Sequence, residues 1–259
     1  MSNRPKPTPN PRPKRVLIVA AHPDDPEFMA GGALAHWHAQ GASIHYLLVT
    51  DGTGGSRDPE MTPERLAAIR RQEQINAARV LGSEDVRFLG YIDGRVEPTL
   101  ELRFAIARMI RQVRPDVIVA QDPLFRYSDG YINHPDHRAV ADATLAAIMP
   151  TANTRLSALE LIEEGLEPHD VSEVYLSVPV NPTVWVPLTD ADLQRKIQAL
   201  REHKSQMGDW DPEPMIREWA GEAAAKAREA GIDCEWAEGF AYVQLQAPPE
   251  EKPPQTEAV

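Results

Sequence analysis

The stretch RVLIVAAHPDDPEFMAGG, residues 15–32, sets a β-branched apolar run directly against a histidine, two adjacent aspartates and a pair of glycines. Its first seven residues read as a strand buried on both faces, the pattern of a parallel sheet. The polarity that follows has two readings: Asp24 and Asp25 cap a helix that begins near Pro26, or they hold something. Working outward, GALAHWHAQG (32–41) reads as helix up to Gly41, and SIHYLLVTDG (43–52) reads as a second strand, which completes one βαβ unit. TPERLAAIRRQEQINAARVLG (62–82) carries a Thr N-cap, Pro at the first helical position and a terminal glycine, the marks of a long amphipathic helix. EDVRFLGYIDG then reads as strand, residues 99–113 as helix and DVIVAQDP (116–123) as another buried strand. Past residue 150 the rhythm loosens. EVYLSV, TVWVPL and FAYVQLQ are short strands, and residues 190–206 and 214–230 are helices. The alternation predicts an α/β fold, Rossmann-like, with a mostly parallel β-sheet and helices on both faces.

A chain of 259 residues can bury one sizeable core. The expected division is a disordered basic, Pro-rich arm over 1–14, a single domain over 15–246 and a disordered Pro-rich tail over 247–259. Charge and cysteine content narrow the function. With 27 Lys+Arg against 39 Asp+Glu the formal charge is −12, which opposes a nucleic-acid or anionic-membrane partner. Cys234 is the only cysteine, so neither an intramolecular disulfide framework nor a cysteine zinc cage is available. A metal would have to use histidines and carboxylates. No run reaches the ~18 apolar residues of a membrane helix, and the N-terminus lacks a secretory apolar stretch, which leads to the expectation of a cytoplasmic protein.

In open parallel sheets ligands bind beyond the carboxyl ends of the strands. HPDD follows the first strand, DGTGGSRD the second, and QDPLFRYSDGYINHPDH follows VIVA, so the three polar segments should meet on one edge. Catalytic zinc takes three protein ligands and leaves a position for water. HPDD offers His22, Asp24 and Asp25; HPDH offers His134, Asp136 and His137. Neighbouring aspartates in a turn point in different directions, so one can bind a metal while the other faces the attacking water. His134 and His137, three apart with Pro135 at the first helical position, can share one face, one ring coordinating and the other reaching a substrate oxygen. Singly, each motif is also explained by helix capping. Two such clusters at the ends of two strands favour a metal site. DGTGGS lacks both G-x-G-x-x-G and a G-K-[ST] ending, so it reads as a flexible rim loop and not as a phosphate loop.

AHPDDPEFMAGG together with NHPDHRAVADA resembles the LmbE-like or PIG-L family of zinc-dependent N-deacetylases, whose members remove acetyl from N-acetylglucosamine-type amines. LLVTDGTGGSRDP, IRRQEQINAARVLG, FLGYIDG, VRPDVIVAQDP, EPHDVSEVYL and KIQALREHKSQ extend the likeness over roughly residues 15–207. The resemblance implies His22, Asp25 and His137 as zinc ligands, Asp24 as general base and His134 as partner of the developing oxyanion. A His₂Asp site also accepts iron, cobalt or nickel. Asp136 suits the orienting of a ligand ring from behind. Glu27, Arg57 and Arg70 are candidates for contacting substrate, Arg70 reading better as an ion-pair partner of Glu73. His36, His38 and His45 read as surface or packing residues, His169 and His203 as tertiary hydrogen-bonding groups. Trp185, Trp210, Trp219 and Trp236 could stack on a sugar or serve as core aromatics. The implied partner is a small amino-sugar substrate; family members often form trimers or hexamers, which leaves a homo-oligomer open. The alternatives are a zinc amidase acting on a thiol-conjugate amide, and a non-catalytic sugar- or nucleotide-binding module.

Overall fold

The computed structural model describes residues 12–245; the expected arm and tail fall, apart from residues 12–14, outside the described residues. Along the chain run β1 (Arg15–Ala20), α1 (Asp25–Ala39), β2 (Ser43–Thr50), α2 (Pro63–Val80), β3 (Asp85–Tyr91), α3 (Leu100–Val113), β4 (Val117–Gln121), the short hairpin β5 (Tyr127–Ser128) and β6 (Tyr131–Ile132), α4 (Pro135–Ala146), α5 (Leu159–Glu163), β7 (Glu173–Ser177), β8 (Val184–Leu188), α6 (Asp190–Arg201), α7 (Lys204–Met207), α8 (Glu213–Glu229) and β9 (Trp236–Gln244). Seven strands form one sheet in the order β3-β2-β1-β4-β7-β9-β8. The first five in that order are parallel, and β9 and β8 add an antiparallel edge.

β1 is central, with Ile18 opposite Tyr46 on one side and Val119 on the other. Its alternate residues feed two cores. Val16, Ile18 and Ala20 pack under α1, α2, α6 and α8. Leu17, Val19 and Ala21 pack under α3, α4 and α5. A strand covered on both faces has no polar position to offer, which is why its sequence is continuously apolar. The sheet is mixed but mostly parallel, with helices on both faces, as the alternation predicts.

α1 departs from the sequence reading. It starts at Asp25, close to the Pro26 start of the capping reading and not at residue 32, and breaks at Ala30, whose φ of −153° and ψ of 18° are not helical. A break leaves carbonyls on one side and N–H groups on the other without helical partners. Two buried side chains supply them. Glu238 of β9 accepts from the N–H groups of Gly32 at 3.0 Å and Ala33 at 2.8 Å. Lys196 of α6 donates from Nζ to the Phe28 carbonyl at 2.9 Å and to Glu238 Oε1 at 2.6 Å. The glycines make this approach possible: a Cβ on Gly31 would lie 3.0 Å from Lys196 Cγ, and one on Gly32 would collide with Leu188 and crowd Glu238.

The helix expected over 190–206 is also two. α6 stops at Arg201 and α7 restarts at Lys204, because His203 turns inward with φ −81° and ψ 58°. The terminal strand begins earlier than FAYVQLQ, at Trp236, which lets β9 pair first with β8 and then with β7.

Removing one member of a buried, hydrogen-bonded ion pair typically costs about 3–5 kcal/mol, whereas apolar replacement of both can be nearly neutral. E238L is therefore expected to lower the urea-unfolding free energy by an amount of that order, and the K196M/E238L double variant by less than E238L alone.

Candidate metal centre

The loop after β1 and the start of α4 meet beyond the strand ends. His22 Nδ1 stands 3.2 Å from His137 Nε2 and 3.3 Å from Asp25 Oδ2, and His137 Nε2 is 3.1 Å from Asp25 Oδ1. Ligand atoms ~2.0–2.1 Å from a tetrahedral ion lie roughly 3.3 Å from one another. Two imidazole nitrogens and a carboxylate thus already have the spacing of three corners of such a shell. The donors that face this point are fixed from behind. His137 Nδ1 donates to Asn133 Oδ1 at 2.8 Å, which leaves the Nε2 lone pair directed at Asp25. His22 Nε2 is 3.2 Å from Asp136 Oδ2 and 3.1 Å from Asp93 Oδ1, so its proton belongs on that side and Nδ1 is left as the donor atom.

Asp136 has no solvent exposure, and its oxygens accept from the N–H groups of Gly94 at 2.7 Å and Val96 at 3.1 Å as well as facing His22. Asp93 accepts from the Gly54 N–H at 2.9 Å. The second-strand loop therefore joins the other two segments at this edge. His134 is the N-cap of α4, with Nδ1 accepting from the Asp136 N–H at 3.3 Å, and its ring meets that of His22 edge-on with centroids 4.6 Å apart. Its nitrogens also come close enough to those of His22 and His137 for a three-imidazole set, and a second grouping joins His22, Asp93, His134 and Asp136. In that second grouping the Asp136 oxygens already take two backbone N–H groups.

The electrostatics ask for a cation. Burial works against a charge on His22, yet the Asp25 charge and the hydrogen bonds its ring donates to Asp136, Asp25 and Asp93 carry its pKa up to about 12. Burial opposes ionisation of Asp25 too, but His137 and His22 hold its carboxyl well below the usual range. For His134, burial and the neighbouring His22 lower the pKa. An imidazole surrounded by three carboxylates marks a place where positive charge is strongly favoured.

Asp24 stands apart from this set. It occupies the N-cap position of α1, but its side chain makes no capping bond, so the capping alternative fails for it. Its φ of 99° is left-handed, a conformation that is costly for a residue other than glycine. The Asp24 N–H donates to Gln74 Oε1 at 3.0 Å, and its Oδ2 accepts from Arg70 Nη2 at 3.1 Å. Burial pushes its pKa up to about 6, with Arg70 opposing and Asp25 adding to the rise.

Two sequence expectations are corrected. Glu27, a candidate substrate contact, is fully buried, and its oxygens accept from Gln74 Nε2 at 2.9 Å and face His203 Nε2 at 3.0 Å. Arg70 pairs with Asp24 and not with Glu73; it also donates to the Gly52 and Pro23 carbonyls. Glu73 instead accepts from the Ser205 N–H and hydroxyl. Arg57 lies exposed on the loop after β2. Asp93, Asn133 and Gln74 are members of the site that the sequence reading does not name. DG after FLGYI and N before HPDH were the available signals, since a polar residue beside a ligand motif often orients it. Of the four tryptophans named, Trp219 lines the cavity that opens from Asp25 and His137.

Residues 17–148 match the sequence profile described as PIG-L, GlcNAc-PI de-N-acetylase. The chain belongs to the PIG-L family. Among its relatives, the diacetylchitobiose deacetylase of Thermococcus kodakarensis is 31% identical over 77% of this chain and 74% of its own length. A probable N-acetyl-alpha-D-glucosaminyl L-malate deacetylase of Bacillus anthracis is 30% identical over 74% of this chain and 81% of that protein. The structure of N,N'-diacetylchitobiose deacetylase from Pyrococcus horikoshii superposes with a TM-score of 0.80 at 29% identity, covering 90% of this chain and 84% of that one. No described helix of this PIG-L protein is long and apolar enough to cross a membrane.

Groups that orient metal-ligating histidines are typically worth about 10–100-fold in metal affinity. N133L should weaken divalent-metal binding by that order in a competition titration with a chromophoric chelator, while D24N, whose side chain is not among the converging donors, should bind metal with little change.

Proposed function

We propose that this PIG-L protein is a zinc-dependent hydrolase that removes the acetyl group from an N-acetylated amino sugar of the N-acetylglucosamine type or its conjugate. His22, Asp25 and His137 hold the ion, Asp24 is the base and His134 the oxyanion partner. The observation that carries this reading is the spacing of 3.1–3.3 Å among the donor atoms of His22, Asp25 and His137, beside a carboxylate that none of them engages. The ligand choice follows from which oxygens are uncommitted: both oxygens of Asp136 take backbone N–H groups, whereas on Asp25 only Oδ2 does, from the His22 N–H at 2.8 Å, and Oδ1 is left facing His137. Zinc fits a two-imidazole, one-carboxylate set, as do neighbouring divalent transition metals.

A divalent ion held there supplies Lewis acidity for the amide carbonyl and acidifies a water. The chain's own residues do the rest. Asp24, raised by burial toward neutrality, is ionised at neutral pH and accepts the proton of the attacking water. Arg70 keeps that carboxylate in one orientation. His134 accepts at Nδ1 from a backbone N–H, so its neutral ring carries hydrogen on Nε2; 3.9 Å from Asp93, that N–H is available to the oxyanion of the tetrahedral intermediate. The proton taken up by Asp24 is then the one the departing amine needs, and a base of moderate pKa releases it readily. Arg57, exposed on the loop after β2, is the candidate for contacting sugar hydroxyls.

The parallel half of the sheet, ordered β3-β2-β1-β4-β7, is Rossmann-like in this reading, with 15–246 as a single catalytic domain. From β1 the chain steps outward through β2 to β3, and α3 then carries it back across to β4 on the other side of β1; the crevice beside that reversal is where open α/β sheets place ligands. Acidic charge and a lone cysteine accord with a cytoplasmic enzyme.

The test is acetate release from N-acetylglucosamine, diacetylchitobiose and inositol- and malate-linked N-acetylglucosamine, with and without chelator. Release from at least one of them, abolished by chelation and restored by zinc, is expected; no release from any by metal-loaded protein would overturn the reading, and cleavage only of a larger thiol-conjugate amide would favour the amidase alternative. D24N should lose on the order of 10²–10⁴-fold in kcat at unchanged metal content. Because Arg70 favours the ionised form of Asp24, R70M should raise that pKa, so the acid limb of the pH–kcat/KM profile should move to higher pH.

A further inference from the structure

We propose that the cavity beside the metal centre takes the acyl chain of the substrate, and that this protein removes N-acyl groups longer than acetyl from amino sugars. The proposal rests on the deacylase reading above and concerns which acyl group that reaction releases. The cavity, about 610 Å³, opens from Asp25 and His137 and runs between the first half of α1 and the face of α8. Pockets for drug-sized ligands fall at about 300–1,000 Å³; a methyl group needs a small fraction of that. The wall on α8 is Met215, Ile216, Trp219, Ala220 and Ala223, positions that recur on one helical face, and Phe28 of α1 faces them. Its charged members besides Asp25 and His137, Lys196 and Glu238, are paired with each other at 2.6 Å and with backbone groups.

The cavity wall is mostly apolar; its uncharged polar members are Gln121, Tyr131 and Asn133, of which Asn133 is committed to His137 and the Phe125 carbonyl. Asp24, Asp93, His134 and the Arg57 loop are not on the cavity wall. The scissile amide has the same asymmetry, with a hydroxylated sugar on nitrogen and a hydrocarbon on the carbonyl carbon. With the carbonyl at the metal centre, matching polar to polar sends the sugar toward Asp24 and Asp93, and the hydrocarbon into the space between Phe28 and Trp219. The reaction is hydrolysis: water adds to the carbonyl, the C–N bond breaks, the amine leaves with a proton and the fatty acid leaves as carboxylate.

The experiment compares kcat/KM of the zinc-loaded enzyme for N-acetyl-, N-butanoyl-, N-hexanoyl- and N-octanoylglucosamine, each below its micellar concentration, with octyl N-acetylglucosaminide as the arm that places the same chain on the glycosidic side. Burial of each methylene is worth up to about fourfold, so a rise of at least tenfold from acetyl to octanoyl is expected, with little gain for the octyl glycoside. In A223F, which fills the cavity, the octanoyl-to-acetyl ratio should fall toward one. Turnover of acetyl with a flat or falling series, or a gain only for the octyl glycoside, would overturn the assignment while leaving the deacetylase reading intact. Should no substrate turn over, binding to D24N still decides: quenching of Trp219 fluorescence, judged against W219F, by N-octanoylglucosamine at a tenfold lower concentration than by N-acetylglucosamine supports the cavity assignment, and equal concentrations refute it.

Discussion

One imidazole ring joins the parts of this site. His22 follows β1 directly, turns Nε2 toward Asp136 and Asp93, and leaves Nδ1 beside Asp25 and His137. Asp136 comes from α4 and Asp93 from the loop after β3, so the tautomer of a single side chain registers three segments remote in sequence. The carboxylates behind it would repel one another if the middle were uncharged. Their arrangement is favourable only around positive charge, supplied by a protonated ring or by a cation in the position that the donor atoms surround. The structure that surrounds His22 is accordingly polar yet almost closed to solvent, and its hydrogen bonds are mostly to backbone groups that hold the loops in place.

The second constraint is the broken helix. Asp25 and Glu27 must serve opposite sides of the first turn of α1, one toward the metal centre and one toward His203 and Gln74. A straight helix packed as the second half of α1 is packed would not have to place that turn as it stands. The break at Ala30 frees the direction of that first turn from the packing of the second half, and Lys196 with Glu238 replaces the hydrogen bonds that the break removes. Gly31 and Gly32 are then required by the close approach of those two side chains, not by flexibility. This explains why the motif residues HPDD are followed by an AGG step within one helix.

Much of this was legible in the residues. Val16 to Ala21 announced a strand covered on both faces, and the paired HPDD and HPDH clusters at two strand ends announced a shared centre. What escaped were long-range partners without local periodicity. Gln74 and Asn133 look like ordinary polar residues of a helix or loop, and Arg70 like a partner for its neighbour Glu73; only the fold shows Gln74 and Arg70 holding Asp24, and Asn133 holding His137. Glu27 was misread for the same reason. A carboxylate in the first turn of a helix is usually explained by the dipole and by solvent, and nothing near it in sequence reveals that His203, 176 residues away, closes over it. The break of α1 was hidden as well, since GG within a helical pattern gives no sign of the two side chains that will fill the gap.

The position of Asp24 completes the argument from strain to chemistry. A non-glycine residue at φ 99° is disfavoured by about 1–3 kcal/mol, and a helix start offers an easier alternative in which the same side chain caps its own N–H groups. The chain takes the harder course because the capping geometry would turn the carboxylate back onto α1. With the N–H tied to Gln74 and Oδ2 to Arg70, the backbone is fixed through both groups and the carboxylate is held apart from the helix. A carboxylate so placed, dehydrated enough to be raised toward neutrality but paired with one guanidinium so that it still ionises, is what proton transfer at neutral pH requires. Capping would have turned the carboxylate onto the helix; the strained turn keeps the helix and holds the carboxylate apart from it, because Gln74 binds both the Asp24 N–H and Glu27 from inside the fold.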